Sequence, residues 1–162
     1  MALKNLSRSI EGCVAVITGA GSGMGAATAK LFAEEGATVA LIDLNEPGVL
    51  EVEKEIIDAG KPGSAWIADL GSKREIDETI SAVAEKFGGI DLLINNAGIS
   101  IPVAIDDDAY DDAWSNSVNV LLTAHTRTIR ASLPWLRKSK NPRIVNIAST
   151  EGFGATKLGS PY

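Results

Sequence analysis

The sequence predicts an α/β domain, a doubly wound parallel sheet of five strands in the order 3-2-1-4-5 with helices on both faces. Three observations predict it. Strand-like and helix-like segments alternate strictly along the chain, and parallel neighbours require helical crossovers. The strand-like runs are apolar without a clean period of two, as in strands covered on both faces. Residues able to carry chemistry fall at the carboxyl ends of those runs, where open α/β sheets bind ligands.

The first strand is expected over Cys13–Thr18, a β-branched apolar run. A glycine turn follows, then a helix whose apolar positions Met24, Ala27, Thr28, Leu31 and Phe32 keep helical spacing, closed by Gly36. Thr38–Ile42 is the second strand, closed by Asp43. Asn45 caps a helix carrying Val49, Val52, Ile56 and Ile57 and ending at Gly60. Ser64–Ala68 is the third strand. Ser72 and Glu75, three apart, form a capping-box pattern ahead of the stripe Ile76, Ile80, Val83, Ala84 and Phe87, which Gly88 stops. Ile90–Ile94 is the fourth strand, with Asn95-Asn96-Ala97-Gly98 turning at its end. A long helix is expected from about Asp108 to Arg137, with Trp114, Val118, Leu121, Leu122, Ile129 and Leu133 among its apolar positions and Pro134 kinking or shortening its last turns. Arg143–Ala148 is the fifth strand.

The 162 residues are read as one domain, 1–162. An apolar content of 45% with 22% charged residues excludes a disordered or low-complexity chain. The net charge of −6, with no basic patch, argues against nucleic-acid and membrane-surface partners. The lone Cys13 cannot form an internal disulfide, the stretch Met1 to Glu11 lacks a signal-length apolar run, and nothing approaches the apolar length of a membrane span. A cytoplasmic protein is expected.

Thr18-Gly19-Ala20-Gly21-Ser22-Gly23-Met24-Gly25 joins the first strand to the first helix. Glycines let backbone approach a pyrophosphate closely, and a helix start offers unpaired N–H groups and the positive end of its dipole. A tight turn without a ligand would explain glycines alone; the strand before and the helix after favour phosphate binding. Asp43 stands eighteen residues beyond Gly25, near the spacing of an acid that accepts from an adenosine ribose. Its charge would repel a 2′-phosphate, and Ser22, Leu44 and Asn45 offer no cation, which favours NAD over NADP.

These residues resemble the short-chain dehydrogenase/reductase family, from about Gly12 to the last residue. Thr18, Gly19, Gly23 and Gly25 match its TGxxxGxG motif, and Asn95-Asn96-Ala97-Gly98 is its NNAG string. Asp69-Leu70 is similar to the family's adenine-contacting aspartate, and Asn119 to its active-site asparagine. Ser149 lies where the family has its catalytic serine, and Tyr162, thirteen residues on, where it has its tyrosine. The resemblance implies a Rossmann-type fold and NAD(H)-dependent interconversion of an alcohol and a ketone or aldehyde by hydride transfer. It implies cofactor contacts from Thr18, Gly19, Gly21, Ser22, Gly23, Met24 and Gly25, from Asp43 and Leu44, from Asp69 and Leu70, and from Asn96, Ala97 and Gly98. It also implies a small-molecule substrate and a dimer or tetramer.

A phenol ordinarily titrates at about 10 and needs help to act as a base. In the family a lysine four residues after the tyrosine supplies it. The sequence stops at Tyr162, and Lys157 precedes the tyrosine. The chain therefore reads as the amino-terminal part of a longer enzyme, or its ordered part, feeble by itself and prone to self-association through an exposed fifth strand. In the family's chemistry Ser149 would hydrogen-bond the substrate oxygen and Asn119 would hold a relay water.

Plainer readings stand beside these. Alone, Ser149 is a turn residue at a strand end, and Asn119 a buried polar side chain bonded to backbone. Asn95 and Asn96 serve structure as much as ligand. Asp106-Asp107-Asp108 suits a solvated helix start, His125 a packed or surface position, and Cys13 a small hydrophobe. No cluster has metal-ligand spacing. The alternative function is a noncatalytic dinucleotide-binding module. A methyltransferase-type fold shares the glycine turn, but the NNAG string and the Ser149/Tyr162 spacing count against it.

Overall fold

The computed structural model describes residues 8–154 and 156–162. The expectation that no leader starts at Met1 falls largely on residues 1–7, outside those described. The elements alternate as β1 (Val14–Thr18), α1 (Gly23–Glu34), β2 (Thr38–Asp43), α2 (Glu46–Asp58), β3 (Gly63–Ile67), α3 (Lys73–Phe87), β4 (Leu92–Asn95), α4 (Tyr110–Val118), α5 (Ala124–Leu136) and β5 (Arg143–Asn146). A π-helical turn, Asn119–Thr123, joins α4 to α5, and a 3-10 turn, Thr150–Gly152, follows β5.

All strands run parallel in the order β3-β2-β1-β4-β5, as the alternation predicts. The order reverses between β1 and β4, so the chain leaves these neighbours in opposite directions and opens a crevice at their carboxyl ends.

Why the strands lack a period of two is plain from the core. Ala15 and Ile17 of β1, Val39 and Leu41 of β2, and Leu92 and Ile94 of β4 pack with Ala26, Ala29 and Ala33 of α1 and with Val49, Val52 and Ile56 of α2. The intervening residues Val16, Ala40, Ile42 and Leu93 pack on the other face with Ile76, Ile80, Val83 and Ala84 of α3 and with Ala124 and Leu136 of α5. Both faces are dry, so both sets must be apolar. Each fully buried Val, Leu or Ile contributes about 1.5–3 kcal/mol. β3 and β5 are the outer strands, and Ile144 and Val145 on β5 are exposed.

The sequence misplaces two helix faces. On α1 the predicted stripe is not the buried one: Met24 and Leu31 are 64% and 53% exposed, whereas Gly25, Ala26, Ala29 and Ala33 are buried. Small side chains let α1 lie close on the sheet, and that closeness outweighs the transfer energy of the larger residues. The same holds further on, where Ala113, Ser117, Ala124, Thr128, Ser132 and Leu136 are buried and Trp114 and Leu122 face outward. The long helix is also not a simple one. Pro134 sits inside α5 without shortening it: the helix runs on to Leu136, and the proline forfeits the one bond that an N–H there would make to the Arg130 carbonyl. The irregularity is the π turn instead.

Candidate functional site

Thr18 ends β1 wholly buried, and its side chain ties the crevice together. Its Oγ1 accepts from the backbone N–H groups of Asn96 (3.0 Å) and Ala97 (3.1 Å) and donates to the Ile94 carbonyl. Asn96 returns the contact, its Nδ2 donating to the carbonyls of Thr18 (3.0 Å) and Gly19 (3.3 Å). Asn95 donates to Asn146 Oδ1 on β5 and accepts from Thr128 on α5. The asparagine pair thus satisfies strand-end groups and locks β1, β4 and β5 in register. Thr18→Val, nearly isosteric, would leave two N–H groups without their acceptor. We expect a stability loss of about 2–4 kcal/mol, read from urea unfolding; an unchanged midpoint would show that the brace contributes nothing.

The turn after Thr18 is built for close approach. A Cβ on Gly25 would stand 1.9 Å from the Gly19 carbonyl oxygen, and one on Gly19 2.8 Å from Ala97 Cα. Gly23, with a left-handed φ of 52°, has nothing within 4 Å of its missing Cβ and faces the crevice. Ser22 begins α1 without a side-chain cap bond, and no acidic residue stands in the first turn. By contrast Asn45 caps α2 with Glu46 beside it, and Ser72 caps α3 with Glu75 in its first turn. The positive end of α1 is left for something else.

Asp43 closes β2 opposite this turn. Its Oδ2 accepts from the Gly21 N–H (2.8 Å) and its Oδ1 from the Asn45 N–H (2.8 Å). The carboxylate is therefore oriented by backbone, with Leu44 65% exposed beside it. Beyond β3, Asp69 accepts from the Gly71 N–H (2.7 Å), and the Asp69 N–H donates to Glu75 (2.9 Å). Glu75 thus reaches Asp69 rather than the Ser72 N–H that a full capping box would give it.

A cleft of about 470 Å³ runs between these ends. Gly19, Ser22, Gly23 and Met24 line it from the turn, Asp43 and Leu44 from β2, Asp69 and Leu70 from β3, and Asn96, Ala97 and Gly98 from β4. Tyr162 closes one wall, with Ile99, Ser100 and Val120 beside it. Of the other candidates, Thr18, Gly21 and Gly25 shape the cleft from behind. Asn119 and Ser149 are not on its surface. The Asn119 side chain is turned to Gly71 and Arg127. Ser149 Oγ accepts from the Glu151 N–H (3.2 Å) and caps the 3-10 turn. That turn fixes the oxygen and still leaves its proton to donate.

Ala68 and Val120, which also line the cleft, were not legible as site residues. Burial pushes the His125 imidazole below its ordinary pKa and the Cys13 thiol above its own, the latter helped by Asp91 and opposed by Arg143. Neither lines the cleft. Among the described residues no group of His, Cys, Asp and Glu could hold a metal, and no helix is long and apolar enough to cross a membrane.

The sequence profile of the short chain dehydrogenase family matches residues 13–162. The chain belongs to the short chain dehydrogenase family. Within the family it is 39% identical over 157 residues to a 2,5-dichloro-2,5-cyclohexadiene-1,4-diol dehydrogenase of Sphingobium indicum, covering 97% of this chain and 62% of that one. It is 35% identical over 149 residues to an uncharacterised oxidoreductase of Staphylococcus epidermidis, covering 92% and 63%. A short chain dehydrogenase from Mycobacterium smegmatis superposes with a TM-score of 0.86 at 33% identity, covering 94% of this chain and 64% of that one. An NAD+-bound xylitol dehydrogenase superposes at 0.88 and 29% identity, covering 96% and 60%. The chain spans rather less than two thirds of the length of these short chain dehydrogenases.

Proposed function

We propose that the chain is the NAD-binding domain of an oxidoreductase that interconverts an alcohol and a carbonyl compound. The observation that carries the reading is the Asp43 carboxylate, held 2.8 Å from the Gly21 amide at the rim of the glycine turn. One structural unit thereby offers amides for phosphate and a carboxylate for ribose hydroxyls. The residues fit a dinucleotide. Gly23 leaves open the space a Cβ would fill, α1 starts uncapped, and Asp69 can accept from an adenine amino group. The cleft lies within the roughly 300–1,000 Å³ of small-molecule sites.

When bound, the nicotinamide ring supplies the hydride chemistry. The chain supplies position and proton handling. Tyr162, on the cleft wall, would as its phenolate take the proton that an alcohol oxygen gives up; a neutral phenol cannot, so the step needs a neighbouring cation such as the lysine that the resemblance implies four residues further on. For Ser149 the family resemblance implies a hydrogen bond donated to that oxygen as charge develops there; its hydroxyl keeps a proton to donate but stands outside the cleft lining. Asn119, its side chain bonded to Gly71 and Arg127, keeps the relay-water role that the family resemblance gives it. The likeness to the xylitol and dichlorocyclohexadienediol enzymes supports a hydroxyl-bearing small molecule as substrate. The reading extends to a cytoplasmic location and to a homo-oligomer, the latter supported by the outward Trp114 on α4 and Leu122 on the π turn. Calorimetric titration of the folded chain with NADH is expected to give saturable heat with one site per chain. A flat titration of protein shown to be folded by circular dichroism would overturn the reading.

A further inference from the structure

The π turn between α4 and α5 places a charged side chain where a regular helix would not. Asn119 and Arg127 are eight residues apart. In unbroken α-helix that spacing separates two side chains by about 80° around the axis. A π turn takes up one extra residue, which leaves about 20°, two turns on. The two side chains therefore share a face, and both point at one atom. Asn119 Nδ2 donates to the Gly71 carbonyl at 3.0 Å, and Arg127 Nη1 donates to the same carbonyl at 2.9 Å. Arg127 Nη1 also donates to Asn119 Oδ1 at 3.1 Å, closing a triangle. On the other side of Gly71 its N–H donates to Asp69 Oδ1. Gly71 is so closely held that a Cβ there would meet Asn119 Nδ2 and Asp69 Oδ1, each at 3.0 Å.

We propose that Arg127 is a positioning residue for the adenine end of the dinucleotide, acting through the Gly71 carbonyl to fix the Asp69–Leu70 wall of the cleft. The inference rests on the NAD-binding reading above. Hydrogen bonds from a charged group are about twice as strong as neutral ones, so the guanidinium is the firmer of the two donors. Without it the Asp69 carboxylate keeps its chemistry but loses a fixed direction. The helix that carries the π turn and the loop that receives adenine are thereby one mechanical unit.

The test compares the wild-type chain with Arg127→Met and Arg127→Lys, titrated with NADH, AMP and reduced nicotinamide mononucleotide. Arg127→Met is expected to weaken NADH and AMP equally, by about tenfold, which is about 1.4 kcal/mol, and to leave the mononucleotide unchanged. Arg127→Lys keeps one charged donor and should recover part of the loss. Equal weakening of all three ligands, or no weakening, overturns the proposal. Hydrogen exchange without ligand is the second measurement. In Arg127→Met the Gly71 amide is expected to exchange about tenfold faster, while the β1 amides stay as in the wild type; an unchanged Gly71 amide overturns the clamp. A wild-type chain that binds neither NADH nor AMP while Gly71 exchange responds to Arg127 would sink the NAD-binding reading and leave the clamp standing.

Discussion

Gly25→Ala is expected to cost about 3 kcal/mol of stability and, in whatever still folds, about a hundredfold in dinucleotide affinity. The added carbon would stand 1.9 Å from the Gly19 oxygen and 2.7 Å from both the Gly19 carbonyl carbon and Asn96 Nδ2. Two of those atoms are backbone, so rotation of a side chain cannot relieve the clash. The start of α1 must move by more than an ångström, against a helix face of alanines packed directly on the sheet. Overpacking of this kind costs about 1–3 kcal/mol or more, and a misplacement of about 1 Å at a binding centre can cost 10²-fold. Gly23→Ala separates the two effects. Its methyl meets nothing within 4 Å, so only the left-handed φ of 52° opposes it, at about 1–2 kcal/mol. That methyl projects where the phosphates would lie. Gly23→Ala should therefore fold nearly as well as the wild type and bind NADH at least as poorly as Gly25→Ala. Urea unfolding and calorimetry on both variants check this. A Gly23→Ala chain that binds NADH normally would place the phosphates elsewhere.

The contrast between these glycines shows what a sequence can and cannot reveal. The strand order and the clustering of Gly23, Asp43, Asp69 and Asn96 on one cleft were legible, because alternation and strand-end position are one-dimensional facts that topology converts directly into proximity. The packing face of α1 was not. Periodicity alone gives Met24 and Leu31 the same weight as a buried stripe, and only the closeness of the sheet favours Ala26, Ala29 and Ala33. The π turn escaped for a related reason: nothing in Asn119–Thr123 forbids regular helix, and its effect is a change of phase felt at Arg127. Asn119 was found by motif, but not the bonds of its side chain to Gly71 and Arg127, since a string cannot say which way an amide points. Ser149 lies between. The plain reading, a residue of the turn after the last strand, describes its bond to Glu151, and the free hydroxyl proton leaves the chemical role available.

Cofactor choice should turn on Asp43. The wild-type chain is expected to bind NADH about a hundredfold more tightly than NADPH, because a 2′-phosphate would sit against a carboxylate whose direction is fixed by the Gly21 and Asn45 amides. Like charges brought together in a partly desolvated site cost several kcal/mol, and about 2.7 kcal/mol is a hundredfold. Replacing Asp43 also removes the acceptor of two backbone N–H groups, so Asp43→Ser alone should weaken both cofactors. The informative quantity is the ratio of the two dissociation constants, in which that shared loss cancels. For Asp43→Ser the ratio should fall to within about threefold of unity. Adding Leu44→Arg should invert it by about tenfold, a charged hydrogen bond to phosphate contributing about 1.5–3 kcal/mol. Leu44 is exposed at the cleft edge and packs in neither core cluster, so the arginine costs the fold little. Fluorescence titration of the three chains with each cofactor measures the ratio. Equal binding of NADH and NADPH by the wild type would mean that the ribose lies away from Asp43, and the carboxylate would then be no more than a brace for the glycine turn.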